Sequence, residues 1–299
     1  MGGPFGAYLS DALFSVAGIG AYLFLLVLAL QFNGGSFAAE RIYETVAGDV
    51  EFSQVLALGW RDSDEKIFYG SDSFQFGELW LPGSALPSKG LIVFVHGGCW
   101  LNEFDITHTY PLSSALADAG YTVWSLEYRR IGDEDGGWPG TYEDIQAGLS
   151  HIDELSRFGV SIENVVLMGH SAGGHLALLA GSYKDEAIVA LNAVIGLGAI
   201  TNLVSYADGN NSCEIATPMF IGGSYAEKTN DYAKANPVNY AMHPQTYLLH
   251  GELDSIVPIE QSSVKGATVK ILPRTNHFDW IHPGSVAFRA ILALLQELL

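Results

Sequence analysis

A serine hydroxyl becomes a nucleophile when a base removes its proton and a third group holds that base in the correct tautomer. The 299-residue chain carries a serine suited to that role, Ser171, within Gly169-His170-Ser171-Ala172-Gly173. The pentad follows the branched apolar run Val165-Val166-Leu167-Met168 and precedes the helix-like AGGHLALLAG. A G-x-S-x-G sequence between a strand and a helix reads as a nucleophile elbow, a strained turn that exposes the hydroxyl at a helix N-terminus. The same residues also suit an ordinary turn whose glycines relieve crowding. The choice rests on whether the chain supplies a base, an acid and donors for an oxyanion.

It supplies all three. Downstream of Ser171, Asp254 follows one strand-like run and His277 follows the next. His277 is read as the base and Asp254 as the acid that orients it. Glu252 and Asp279 compete for the acid's role, and the D-x-x-V-P context at a strand end favours Asp254. Upstream, His96-Gly97-Gly98 ends another apolar run, where residues without side chains leave backbone N–H groups free to face a developing oxyanion. Gly97 and Gly98 with the N–H of Ala172 make a two-part oxyanion hole. His96 and His170 are read as holding loop backbone, His175 as a packed helix residue and His282 as a surface residue. Arg129 and Arg130 are read as ion-pair partners of Glu127, Glu143 or Asp144, ahead of a role in binding a substrate carboxylate. Cys99, Trp100, Trp138, Phe278 and Trp280 lie near strand ends and are candidates for the pocket wall.

Elements able to position these residues alternate along the chain from Ile67 onward, which predicts a mostly parallel sheet covered by helices. LIVFVHGG (91–98), YTVWSLEY (121–128), VVLMGH (165–170), AIVALNAVIGLG (187–198), QTYLLHG (245–251) and ATVKILP (267–273) read as strands. Residues 111–119, 140–159, 172–181 and 285–299 read as helices. Within 140–159, Ile145, Leu149, Ile152 and Leu155 recur at three- and four-residue spacing. Residues 201–242 break the rhythm and read as an insertion near the mouth of the site.

Composition narrows the function classes. Fourteen basic against 33 acidic side chains give a net charge of −19, which disfavours nucleic acid as a partner. No H-E-x-x-H or calcium-loop spacing occurs, so no metal site and no cofactor is expected. Cys99 and Cys213 form no C-x-x-C pair and imply neither zinc nor a disulfide framework. A single 99–213 bridge is compatible with export, and Cys99 is otherwise read as a small buried spacer. Residues 12–30 are uncharged and apolar, near the ~20 residues that span a bilayer. Three readings of residues 1–48 stay open: a membrane anchor, a cleaved signal, or a lid helix over a catalytic domain at 49–299. Anchored or exported locations are favoured, although Met1 to Ser10 lack the positive charge of a usual signal. Oligomeric state is not legible.

From about residue 67 onward the chain resembles an α/β-hydrolase of the esterase and lipase type. HGGCW, EYRRIGDEDGGWPGTYEDI, GHSAGGHLA, HGELDSIVP and NHFDWI together resemble the subgroup of kynurenine formamidase and feruloyl or acetylxylan esterases. The chain order serine, acid, histidine is that of the superfamily. The resemblance implies a cofactor-free serine hydrolase acting on a small-molecule ester through an acyl-enzyme. Ser171 is then nucleophile, His277 base and Asp254 acid, with Gly97, Gly98 and Ala172 as oxyanion donors. Cys99 departs from the subgroup, whose members carry glycine or an aromatic residue there, and this puts the shape of the acyl pocket in question. The alternatives are an arylformamidase acting on N-formylkynurenine-like amides and a non-catalytic hydrolase fold used for binding.

Overall fold

Successive residues of a strand point to opposite faces, so a strand buried on both sides is apolar throughout. The central strands follow this rule. Leu91, Val93 and Val95 enter one core cluster and Ile92 and Phe94 the other. Val165 and Leu167 divide from Val166 and Met168 in the same way. The computed structural model describes residues 43–83, 87–182 and 190–299. Residues 12–30, read above as an anchor, signal or lid, lie outside them.

Among the described residues eight strands form one sheet: β1 Glu65–Phe68, β2 Phe76–Trp80, β3 Leu91–Val95, β4 Thr122–Leu126, β5 Val165–His170, β6 Ala193–Leu197, β7 Thr246–Gly251 and β8 Thr268–Leu272. Their order is β1-β2-β4-β3-β5-β6-β7-β8. The β1–β2 and β2–β4 pairs are antiparallel and every other pair is parallel. The expected mostly parallel sheet therefore carries an antiparallel edge. The 187–198 run yields a strand only over Ala193–Leu197, and residues 183–189 lie outside the described part.

Helices cover both faces. Gly140–Ser150 and Ala172–Gly181 bury Ile145, Leu149, Leu176 and Leu179 against one. Tyr110–Asp118 and Val286–Leu298 bury Leu112, Leu116, Ile291 and Leu295 against the other. Each such aliphatic side chain contributes roughly 1.5–3 kcal/mol when fully buried. The helix expected over 140–159 changes pitch instead. It is α-helical to Ser150 and 3-10 from Ile152 to Phe158, closing at left-handed Gly159. A three-residue turn keeps Ile152 and Leu155 on one buried face, which explains the switch. The 201–242 stretch folds as helices Leu203–Tyr206, Ser212–Ile221 and Thr229–Ala235, followed by the turn Pro237–Asn239. Among the described residues no helix is long and apolar enough to cross a membrane.

Candidate active site

The carboxyl ends of β3, β5, β7 and β8 face a common region, as open α/β sheets dictate. Ser171 follows β5 at φ 56° and ψ −120°, a backbone conformation costing on the order of 1–3 kcal/mol for a residue with a side chain. The turn is held from both sides. Ser171 N–H donates to Leu197 O at 2.9 Å, and Ser171 O accepts from His175 N at 3.0 Å. Only glycine fits at position 173, because a Cβ there would lie 2.2 Å from the carbonyl oxygens of both Val95 and His96. The second glycine of the pentad is thus a consequence of packing the elbow onto the end of β3.

Asp254 lies in the loop after β7. Its Oδ1 accepts from the N–H groups of Ile256 (3.0 Å) and Val257 (2.8 Å), and its Oδ2 accepts from His277 Nδ1 at 2.7 Å. A carbonyl or carboxylate can only accept, so the proton of His277 sits on Nδ1 and Nε2 is left as the acceptor. Burial pushes the Asp254 carboxyl up. Electrostatic attraction to His277 and the hydrogen bonds from His277 and Val257 outweigh it and hold the group below the usual carboxylate range.

The two rival acids do other work. Asp279 Oδ2 accepts from Asn276 N (2.9 Å) and Val50 N (3.1 Å), tying the 3-10 turn that carries His277 to the strap at residue 50. Glu252 accepts from Arg274 N at 3.3 Å, at an exposed site.

Gly97 and Gly98 follow β3. A Cβ on Gly97 would stand 3.0 Å from Ser171 Cβ, so this turn lies against the elbow. Among the described residues, the N–H groups of Gly97, Gly98 and Ala172 donate to no protein acceptor. Ala172 is free because the first turn of a helix has no internal partner. His96 secures the turn: its Nδ1 donates to Gly97 O at 2.8 Å, its Nε2 meets Glu127 Oε1 at 2.9 Å, and its ring stacks on Tyr128. Tyr128 OH donates to His96 O at 2.7 Å. Glu127 Oε2 also accepts from Ile106 N at 3.0 Å. His170 Nε2 donates to the carbonyl of His277 at 3.0 Å. Burial drives the His170 imidazole well below its usual pKa, and neighbouring His277 adds to the shift.

A cavity of about 200 Å³ opens over Ser171 and His277. Of the residues expected on its wall, Cys99 and Phe278 are there. The three tryptophans are elsewhere. Trp100 is fully buried and stacks on Phe220, Trp138 stacks on Tyr142, and Trp280 sits in the core beneath the helix Val286–Leu298. Lying near strand ends in sequence does not make them face the cavity, because each falls on the core-directed side of its turn. The wall instead includes Phe52, Leu101, Phe104, His108 and Ile256, which sequence reasoning missed. These residues lie in loops, in the 3-10 turn Ile106–Thr109 and in the short helix Phe52–Leu56, where no periodicity marks which side is inward.

Cys99 is no free spacer: it is disulfide-bonded to Cys213, on the insertion helix Ser212–Ile221. Their Cα atoms are 4.8 Å apart although 114 positions separate them in the chain. His282, expected at the surface, is buried, and its Nδ1 accepts from Gly284 N. His175 is packed as expected, donating from Nε2 to Ala235 O at 2.8 Å. The arginines form ion pairs. Arg129 grips Asp144 through two nitrogens at 2.9 and 2.6 Å, and Arg130 lies 3.4 Å from Glu127. Among the described residues no group of His, Cys, Asp or Glu is arranged to hold a metal ion.

Sheet order, elbow and the loops that follow the strands define an α/β-hydrolase. The profile of the BD-FAE family matches residues 78–266, well over half of the chain, and the chain belongs to that family. Esterase LipC of Mycobacterium tuberculosis is 25% identical over 219 residues, covering 66% of this chain and 52% of the relative. Isoprenylcysteine alpha-carbonyl methylesterase ICME of Arabidopsis thaliana is 26% identical over 217 residues, covering 66% and 50%. The chain spans about half the length of the curated relatives it matches. Among solved structures, esterase B of Lactobacillus rhamnosis aligns with TM-score 0.67 at 21% identity, over 83% of this chain and 89% of that one. A truncated carbohydrate esterase from gut microbiota aligns with TM-score 0.65 at 19% identity, over 80% and 96%.

Proposed function

We propose that the protein is a serine carboxylesterase acting on small to medium carboxylic esters. The observation that carries this reading is the 2.7 Å contact between His277 Nδ1 and Asp254 Oδ2, set at the cavity that Ser171 lines. Ser171 Oγ attacks the ester carbonyl and its proton passes to His277 Nε2. Asp254 keeps the other ring nitrogen protonated and stabilises the imidazolium. The oxyanion is received by the N–H groups of Gly97, Gly98 and Ala172, a type of contact in which each donor contributes on the order of 10²–10³ in turnover. Collapse of the intermediate breaks the bond to the alcohol, which leaves with the proton from His277. Water activated by the same imidazole then cleaves the acyl-enzyme to the carboxylic acid and restores Ser171. The relatives named as esterases support the ester over the amide as substrate.

The test is hydrolysis of p-nitrophenyl acetate, butanoate and decanoate by the wild type and Ser171→Ala, with N-formylkynurenine assayed alongside. Serine-dependent ester cleavage supports the reading. Rapid turnover of the formyl amide alone replaces it with an arylformamidase, and no serine-dependent turnover together with no fluorophosphonate labelling replaces it with a binding protein.

A further inference from the structure

The wall of the cavity holds two imidazoles besides His277: His170 braces the His277 carbonyl, and His108 has no part in this chemistry. His108 lies on the 3-10 turn Ile106–Thr109, between β3 and the helix Tyr110–Asp118. Its Nδ1 donates to the carbonyl of Asp105 at 2.5 Å. Because a carbonyl can only accept, this contact fixes the tautomer and leaves a lone pair on Nε2. The ring packs edge-on against Phe52, 5.7 Å away, and His96, 5.6 Å away.

Nε2 has no partner among the described residues, yet it is not among the buried polar atoms cut off from open space. His108 lines the cavity, and we infer that its accessible Nε2 faces it. Around it the wall is apolar: Phe52, Leu101, Phe104, Ile256 and Phe278. Burial, with His96 close by, holds the His108 imidazole down at about 3, so it is a neutral acceptor throughout the working range of such chemistry. Of the other acceptors on the wall that the reaction leaves unused, Glu103 and Ser212 belong to exposed residues and His170 Nδ1 is buried out of reach.

We propose that His108 is a specificity-determining residue whose Nε2 accepts a hydrogen bond from a hydroxyl on the substrate, so that hydroxyl-bearing esters are preferred over their unsubstituted counterparts. The inference rests on the carboxylesterase reading and deepens it by naming the substrate class. An acceptor in an apolar wall is left unpaired by a plain alkyl chain and is satisfied by a hydroxyl. A single hydrogen bond of this kind corresponds to a preference of about tenfold.

The experiment compares matched ester pairs. On the acyl side, p-nitrophenyl 3-hydroxybutanoate is set against p-nitrophenyl butanoate. On the alcohol side, glycerol 1-monobutanoate is set against propyl butanoate. The readout is the ratio of kcat/KM within each pair, for the wild type, His108→Phe, His108→Gln and Glu103→Ala. In at least one pair the wild type is expected to favour the hydroxylated ester about tenfold. The ratio falls to near one in His108→Phe, recovers in part in His108→Gln, which restores an acceptor, and survives in Glu103→Ala, which removes one. His108→Leu replaces the phenylalanine variant if circular dichroism shows the latter unfolded. Ratios near one in both pairs for the wild type, or a preference that persists without His108, overturn the proposal. Absence of serine-dependent cleavage of all four esters overturns the carboxylesterase reading instead, so the two failures are distinguishable.

Discussion

Cys99 directly follows the Gly97–Gly98 turn, and its sulfur is bonded to that of Cys213 in the first turn of the insertion helix. The backbone at Cys99 and Trp100 has φ of 54° and 58°, a left-handed conformation that side chains disfavour. The bridge therefore ties a strained stretch of the candidate oxyanion loop to the element that forms the facing wall of the cavity, where Ser212 and Cys213 also contribute.

Replacing both cysteines, Cys99→Ala with Cys213→Ala, is expected to lower stability by about 2–4 kcal/mol, the usual range for a bridge closing a long loop. Turnover falls as well, because the loop after Gly98 loses its covalent anchor. Urea denaturation with and without reductant measures the first effect. A reductant that leaves the wild-type midpoint unmoved counts against it.

Glu127 is buried, and its carboxylate serves His96, Ile106 N, Tyr128 N and Arg130 at once. Glu127→Ala leaves these donors unpaired in the interior and is expected to cost about 3–5 kcal/mol, as breaking a buried pair does. Chemical denaturation checks the magnitude. A loss below 1 kcal/mol means that the network relaxes or takes in water.

Asp254 and Asp279 are both buried carboxylates near His277, and substitution separates their roles. Asp254→Asn is expected to lower kcat on the order of 10⁴-fold, since the amide favours the wrong tautomer of the base, with little change in melting temperature. Asp279→Asn is expected to act mainly on stability, because its carboxylate holds the backbone at Val50 and Asn276. Steady-state kinetics and thermal melts on the two variants decide this, and the opposite pattern reassigns the acid.

The elbow glycine gives a second contrast. In Gly173→Ala the new Cβ meets backbone oxygens at 2.2 Å, so the strand end or the helix must move and activity is lost. Gly159 has φ 77° but nothing within 4 Å, so Gly159→Ala is expected to cost only about 1 kcal/mol and to keep activity. Parallel assays and melts test the pair.

Stability is expected to fall on mild acidification. Burial holds His108 at about 3 and His175 at about 4, so between those values and the ordinary histidine range the unfolded chain binds protons that the folded chain does not. Each group then removes about 1.4 kcal/mol per pH unit as pH drops below roughly 6.5, and the loss levels off below its folded value. Asp254, whose folded pKa is depressed, works in the same direction lower down. Its contribution is present above the ordinary aspartate value and is lost as pH falls through the folded one. Melting temperatures at pH 7.5 and 5.0 test the histidine effect, and equal values refute it.

What the sequence by itself determined is whatever short-range pattern encodes. The apolar runs at Leu91–Val95 and Val165–Met168, uniformly apolar and ended by glycine-bearing turns, read as central strands of a covered sheet. The loops after those strands announce their chemistry because a tight turn at a strand end demands glycine. The chain order of Ser171, Asp254 and His277 follows from the same reading. Pairings between distant loops were beyond it. Whether Cys99 meets Cys213 across 114 residues and which side of its turn each of Trp100, Trp138 and Trp280 occupies are set by how the loops pack over the sheet. Phe52 and His108 reach the cavity for the same reason. Such contacts depend on the position of backbone far away in sequence, and no local periodicity carries that information; only the tertiary structure decided them.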